Sequence, residues 1–201
     1  MSTARAPSPT KDKLLDAAER LMLAKGFAAT AVDDICEAAG VTKGSFFHYF
    51  ESKDRLGREV LERFCASGKK RHDALWGRET DPLKRVYAYI DNLIALSKDP
   101  SMSNGCLLGL FSQELCDTNP QIRAACRKGF DDWANSVGEA VAGAKAAYRP
   151  RASFRPRELA EHLIAVVEGS MIMGKARRDM SIVARNLTHV KRYVRSVFTR
   201  S

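Results

Sequence analysis

The sequence predicts an all-α fold, with a small N-terminal unit of three helices followed by a larger helical domain. Three observations carry this expectation. Apolar residues recur with a period near 3.6 along most of the 201-residue chain, and no stretch sustains strand alternation. Glycine and proline fall between the periodic segments, where they stop and start helices. Hydrophobic residues make up 45% and charged residues 28%, a globular balance that excludes wholesale disorder and a disulfide scaffold.

Taken in order, residues 1–10 carry Pro7 and Pro9 and read as a flexible arm. A first helix is expected from Lys11 to Lys25, with Leu14, Leu15, Ala18, Leu21 and Met22 inward, and Gly26 stops it. Thr30 is placed to cap a short helix reaching Ala39, which Gly40 ends. Thr42 is placed to cap the next helix, which carries Phe46, Phe47 and Tyr49, and a longer helix follows from Ser52 to Trp76. Asp81-Pro82 opens a helix that Asp99-Pro100 closes. Asn104 is expected to cap a short helix from Gly105 to Cys116, and Asn119-Pro120 opens a long one to about Ala146. Tyr148 to Pro156 reads as a loop, and two helices complete the chain, from about Arg157 to Arg177 and Ile182 to Thr199.

The most informative stretch is AVDDICEAAGVTKGSFFHYFESK, from Ala31 to Lys53. Two short helices joined by a tight glycine turn are helix-turn-helix grammar. Val32, Ile35 and Val41 bury the angle between them, and Cys36 reads as a buried packing residue. The second helix is too polar at its start to be core alone. Thr42, Lys43, Gly44 and Ser45 form the end that such a motif presents to base edges, and Gly44 lets the backbone approach closely. Lys43 and Ser45 have the donors for bases or phosphates, His48 and Tyr49 for phosphates, and Lys53 opens a helix whose amides favour an anion.

This stretch resembles the TetR family of transcriptional repressors through Ala39-Gly40-Val41, Lys43-Gly44-Ser45, His48-Tyr49-Phe50 and Lys53. The family often has tyrosine where this chain has Phe47, which lacks the hydroxyl for a phosphate contact. The resemblance implies a DNA-binding head over residues 11–55 and a ligand-binding and dimerisation domain over 56–201. It implies a homodimer on a palindromic double-stranded DNA operator and a small-molecule inducer held among the middle helices.

The last two helices add their own argument for a dimer. Val183, Leu187, Val190, Val194 and Val197 repeat at a 4-3-4-3 spacing, a narrow seam suited to helix packing. Leu163, Val167, Ser170, Met171 and Gly174 on the preceding helix offer a facing surface. These are expected at the interface, the alternative being packing within one subunit.

The second informative segment is SNGCLLGLFSQELCD, from Ser103 to Asp117. It places Cys106 in the first turn of a helix, where unpaired amides lower a thiol's pKa. The segment resembles a TetR-family branch that includes the repressor of N-ethylmaleimide reductase. In that branch a cysteine in the Gly-Cys-Leu context senses reactive electrophiles or oxidants, and Lys175 matches a lysine of the same branch. Cys106 is therefore a candidate sensor, against the alternative that it only packs. Cys65 and Cys126 read as packing residues. For a non-covalent apolar inducer, Tyr87, Leu107, Phe111 and Trp133 are candidate lining residues.

Other classes find little support. Histidines 48, 72, 162 and 189 form no paired ligand spacing, so no metal or other cofactor is expected, and no phosphate loop or nucleophile triad argues for an enzyme. No run of 18 apolar residues indicates a membrane span, and the polar opening MSTARAPSPTKDK indicates no secretory signal. Five cysteines are an odd count, which fits reduced thiols and a cytoplasmic location. Net charge is +9, yet residues 1–55 hold eight basic and eight acidic side chains, so bulk charge does not drive the DNA reading. The near-neutral head and Phe47 favour one alternative, a helical ligand-binding module without specific DNA recognition.

Overall fold

A computed structural model describes residues 8–76 and 79–199, and every regular element among them is helical. The helices are α1 (Pro9–Lys25), α2 (Val32–Ala39), α3 (Lys43–Tyr49), α4 (Lys53–Trp76), α5 (Pro82–Leu96), α6 (Leu107–Leu115), α7 (Pro120–Tyr148), α8 (Pro156–Arg177) and α9 (Ser181–Phe198), with a 3-10 turn over Pro100–Asn104. Residues 1–7 of the expected arm lie outside the described residues. Pro9 already belongs to α1, because a proline at the first helical position gives up no intrahelical hydrogen bond.

Local chemistry explains most boundaries. Asp81 accepts from the amides of Leu83 and Lys84 at 2.9 and 2.8 Å and so caps α5. Asn119 accepts from the Ile122 amide at 3.0 Å and caps α7 in front of Pro120. Thr42 caps α3 as expected, accepting from the Ser45 amide at 3.2 Å. Thr30 does not cap α2. Ala31 holds that position, Asp34 reaches back to its amide at 2.9 Å, and the buried Thr30 hydroxyl donates to the Gly26 carbonyl at 2.6 Å. Gly40 adopts the left-handed conformation at φ 65°, which lets the chain reverse between α2 and α3.

Two compact units divide the chain without following the linear boundary near residue 55. One contains the residues up to Cys65 together with 107–127; there α1 packs on α2, α3 and α6. Its buried side chains include Leu14, Met22, Ile35, Phe46, Phe50, Leu56 and Phe111. The other contains 66–106 and 128–201, in which α9 packs on α8 and α5. Helices α4 and α7 each run from one unit into the other.

The second unit corrects the expected dimer seam. Leu163, Val167, Val183, Leu187, Val190 and Val194 are 0–4% exposed and belong to one core with Val86, Tyr89 and Ile90 of α5. Each such apolar side chain contributes about 1.5–3 kcal/mol by leaving water. Their periodicity marks a buried face, and the same chain covers it. The small residues follow suit. The Ser170 hydroxyl accepts from the Asn186 side chain at 2.9 Å, and a Cβ at Gly174 would lie 2.7 Å from the Met180 sulfur, so both serve the α8–α9 packing. The apolar groups left exposed on this pair are Ile172, Met173 and Tyr193.

Candidate nucleic-acid interface and sensory cysteine

α3 is short, and one buried ring anchors it. Phe46 is fully buried, with the Phe50 ring 5.8 Å away and the Phe47 ring edge-on at 5.2 Å. That burial turns Thr42, Lys43, Gly44, Phe47 and His48 to solvent, with Ser45 and Tyr49 half-exposed. The exposed first turn is thus polar and small, as a groove-reading end requires. The Lys43 ammonium lies 2.8 Å from Asp33 of α2, which favours its charged form. An exposed pair of this kind is weak and yields readily to a phosphate or a base. Phe47 is 56% exposed, an apolar side chain in water beside this polar turn. The Tyr49 hydroxyl is 2.8 Å from that of Ser8, so the residue that precedes α1 meets the end of α3.

Lys53 stands apart from the expected phosphate set. Its ammonium donates to the carbonyls of Phe27 and Thr30, both at 3.0 Å, and sits 4.4 Å from the centre of the Phe27 ring. It thereby satisfies two carbonyls of the loop between α1 and α2, an internal role that the sequence did not indicate.

The same loop is gripped from α6. Glu114 accepts from the amides of Phe27 and Ala28 at 2.8 and 2.6 Å, and Phe111 packs edge-on against Phe27 at 5.6 Å. Phe111 is fully buried there, and Leu107 is buried as well, so neither lines an open pocket. Glu114 escapes sequence reasoning because its partners lie 86 and 87 residues away and no local pattern marks the contact.

The second unit holds the thiol. Cys106 directly precedes Leu107 and so occupies the cap position of α6 rather than its first turn; Ser103 and Asn104 belong to the 3-10 turn. Its thiol is half-buried and hydrogen-bonded to Glu168 of α8. Burial pushes the Glu168 carboxyl up to about 7, and its Oε1 has no hydrogen-bond partner. A carboxyl poised near neutrality beside a thiol can accept the thiol proton. Sequence reasoning missed Glu168, which sits in an apolar helical run with no motif around it. Lys175 lies two turns further along α8 and is exposed.

Tyr87 and Trp133 pack, half-buried, against the core of this unit. Trp133 belongs to a polar knot around the fully buried Tyr89. The Trp133 indole donates to the Tyr89 hydroxyl at 2.5 Å, and His72 lies 3.5 Å from the same oxygen. Trp76 stacks on Tyr89 at 5.0 Å. Burial lowers the His72 imidazole to about 4, so the ring is neutral at physiological pH. A groove of about 480 Å³ lies elsewhere, on the outer face of α8 and α9, where Val166, Met173, His189 and Tyr193 line it. Among the described residues no group of three or more His, Cys, Asp or Glu is arranged to hold a metal ion.

Two family models match the chain. "Bacterial regulatory proteins, tetR family" covers residues 14–60, which contain the exposed α3 turn, and "Tetracyclin repressor-like, C-terminal domain" covers residues 82–190. The chain belongs to the TetR family. Curated relatives include the HTH-type transcriptional repressor DhaR of Mycobacterium sp. (strain GP1), 28% identical over 92% of both chains. The HTH-type transcriptional repressor NemR of Escherichia coli K12 is also 28% identical, over 92% of this chain and 94% of its own. The crystal structure of reduced E. coli NemR superposes with a TM-score of 0.82, covering 92% of this chain and 96% of that one. A TetR-family regulator from Agrobacterium tumefaciens shares the fold at 20% identity, with a TM-score of 0.84. A TetR-family member is a transcription regulator with an N-terminal helix-turn-helix, and this chain's first three helices are that element.

Proposed function

We propose that this regulator is a homodimeric repressor that binds a palindromic operator and releases it when Cys106 reacts with an electrophile or oxidant. The observation that carries the sensory half is the hydrogen bond between Cys106 and the half-buried Glu168. Glu168 takes the thiol proton, and the sulfur adds to the electrophilic carbon of an activated alkene. A carbon–sulfur bond forms, the carbon–carbon π bond breaks, and the proton ends on the adjacent carbon. The adduct then fills space within the second unit and biases the protein against its DNA-bound conformation. Thr42, Lys43, Gly44, Ser45, His48 and Tyr49 read the operator, on half-sites about 34–36 Å apart.

The dimer face is the outer side of α8 and α9, where Met173 and Tyr193 are 42% and 50% exposed beside the groove. An intramolecular seam cannot also be the interface, and a two-fold operator calls for a two-fold protein. The protein works in the cytoplasm, where DNA is reached directly; among the described residues no helix is long and apolar enough to cross a membrane.

The test is release of a selected operator by N-ethylmaleimide, comparing wild type with Cys106→Ser and Glu168→Gln. Release is expected in the wild type, loss of release in Cys106→Ser, and slower release in Glu168→Gln. Equal release by wild type and Cys106→Ser moves the reactive site to another of the free thiols, whereas no release from either protein transfers sensing to non-covalent ligands. The Tyr89–Trp133–His72 knot would then be the place to look, since a ligand with a polar group competes there for hydrogen bonds. Absence of any salt-dependent operator binding would reject the repressor reading itself.

A further inference from the structure

Two adjacent features of α3 serve no packing purpose. Phe47 is 56% exposed, although Phe46 and Phe50 beside it are sealed in the core. Its direction is set all the same, because the ring stands edge-on to the Phe46 ring, with 5.2 Å between centres and 79° between planes. One helical turn earlier Gly44 is exposed, and a Cβ built there would meet only the Thr42 hydroxyl, at 3.7 Å. The Gly44 backbone is ordinary helix with no positive φ, so neither crowding nor backbone conformation demands glycine at that position. Glycine within a helix is less favourable than alanine, and a large ring in water is less favourable than one in the core. Two such choices side by side mark a surface built for something outside the chain.

Residues three apart on a helix share a face, so the Phe47 ring borders the space that Gly44 leaves empty. We propose that this notch seats the C5-methyl group of a thymine, which makes Phe47 a specificity-determining residue that calls for thymine at one position of each operator half-site. This role presupposes that α3 reads operator DNA, and it names a feature of the base sequence that α3 selects. A phenyl ring has no donor or acceptor, so it gains no hydrogen bond from a phosphate oxygen or a polar base edge. The apolar group that base edges present in the major groove is the thymine methyl. Lys43, one turn before Phe47 on the same side of the helix, sets an ammonium beside the notch for a guanine or a phosphate.

Taking one methyl group out of water strengthens binding about fourfold, and a two-fold operator counts it twice, about fifteenfold in all. Cytosine at the same position has no methyl and leaves the ring without a partner. The polar side chains of the first turn hold the helix on the duplex through hydrogen bonds, whereas Phe47 and Gly44 add a test of shape that those bonds do not supply.

The test deletes the methyl and the ring separately. The full-length protein first selects an operator from random duplexes, and each thymine is then replaced in turn by deoxyuridine, which pairs identically and lacks only the methyl. One replacement in each half-site should weaken wild-type binding about fourfold. Phe47→Ala should bind the thymine and deoxyuridine duplexes equally at that position, keep the wild-type salt slope, and relax its own selected sequence there alone. Phe47 is exposed, so this variant should melt as the wild type does, and Phe47→Leu, which keeps apolar bulk, should retain part of the thymine preference. An equal loss on deoxyuridine in wild type and Phe47→Ala would assign the methyl to another residue and overturn the proposal. Two other results would also overturn it: a wild type indifferent to deoxyuridine at every position, or a Phe47→Ala variant weakened equally on all duplexes, which would set the ring against the sugar–phosphate backbone. Sequence-selective binding without methyl dependence thus rejects the role of Phe47 alone, whereas a chain that selects no duplex rejects the operator reading and this role with it.

Discussion

α3 and α9 are both amphipathic helices, yet the sequence marks the exposed face of one and leaves open what covers the buried face of the other. In α3 a single aromatic, Phe46, faces inward, and the remaining surface is left to solvent. In α9 the valine and leucine stripe is as regular as a coiled-coil seam, yet α5 and α8 of the same chain cover it. Periodicity reports that a face is buried; it does not report what buries it. Exposed polarity is more informative, because a polar first turn on a short helix has no packing role to explain it away.

Four measurements break or sharpen this contrast. The largest effect is expected from Val190→Glu, which puts a charge into the α9 core and should cost more than about 4 kcal/mol, enough to abolish cooperative thermal unfolding. Tyr193→Glu on the outer face should leave the melting transition in place and shift the sedimentation mass to monomer. A folded, monomeric Val190→Glu protein would return the seam to the dimer interface.

The next effect belongs to Glu168. The unfolded carboxyl ionises near 4.5, whereas the folded one resists until about 7. The unfolded state therefore holds fewer protons between those values, and stability falls as pH rises through them, by about 3 kcal/mol in all. Urea titrations on either side of that window should show the fall in the wild type and a flatter profile in Glu168→Gln. Identical profiles would remove Glu168 as its source.

Lys53→Ala should destabilise the head by about 1.5–3 kcal/mol, since a charged donor leaves two carbonyls unserved. The salt slope of DNA binding should not change. A slope reduced by about 0.9 would put Lys53 back on a phosphate. The smallest effect is the mirror of this one. Lys43→Ala should leave the melting temperature alone and lower the slope by about 0.9. A lower melting temperature with an unchanged slope would make Lys43 an internal residue like Lys53.

The two lysines show how far the sequence could be read. Both stand in the TetR-like pattern ten residues apart, and both looked like DNA contacts. Lys43 follows a capping threonine on an exposed turn, a local arrangement that sequence states fully. Lys53 is claimed by Phe27 and Thr30, whose carbonyls are left pointing at it by the loop between α1 and α2. Cys106 divides in the same way. Its Gly-Cys-Leu setting was visible, while Glu168, 62 residues later, was not.

The sequence by itself determined the helical class, the helix-turn-helix, the Thr42 cap of α3, and the exposed polar first turn of that helix. Those follow from interactions within a few residues, set by helical period, caps and the left-handed turn at Gly40. Only the tertiary structure decided which faces of α8 and α9 are spent inside one chain and that Glu114 supports the reading head. Those contacts join residues far apart, 16 positions for Ser170 with Asn186 and 87 for Glu114 with Phe27, and no local propensity encodes which of many compatible surfaces will meet.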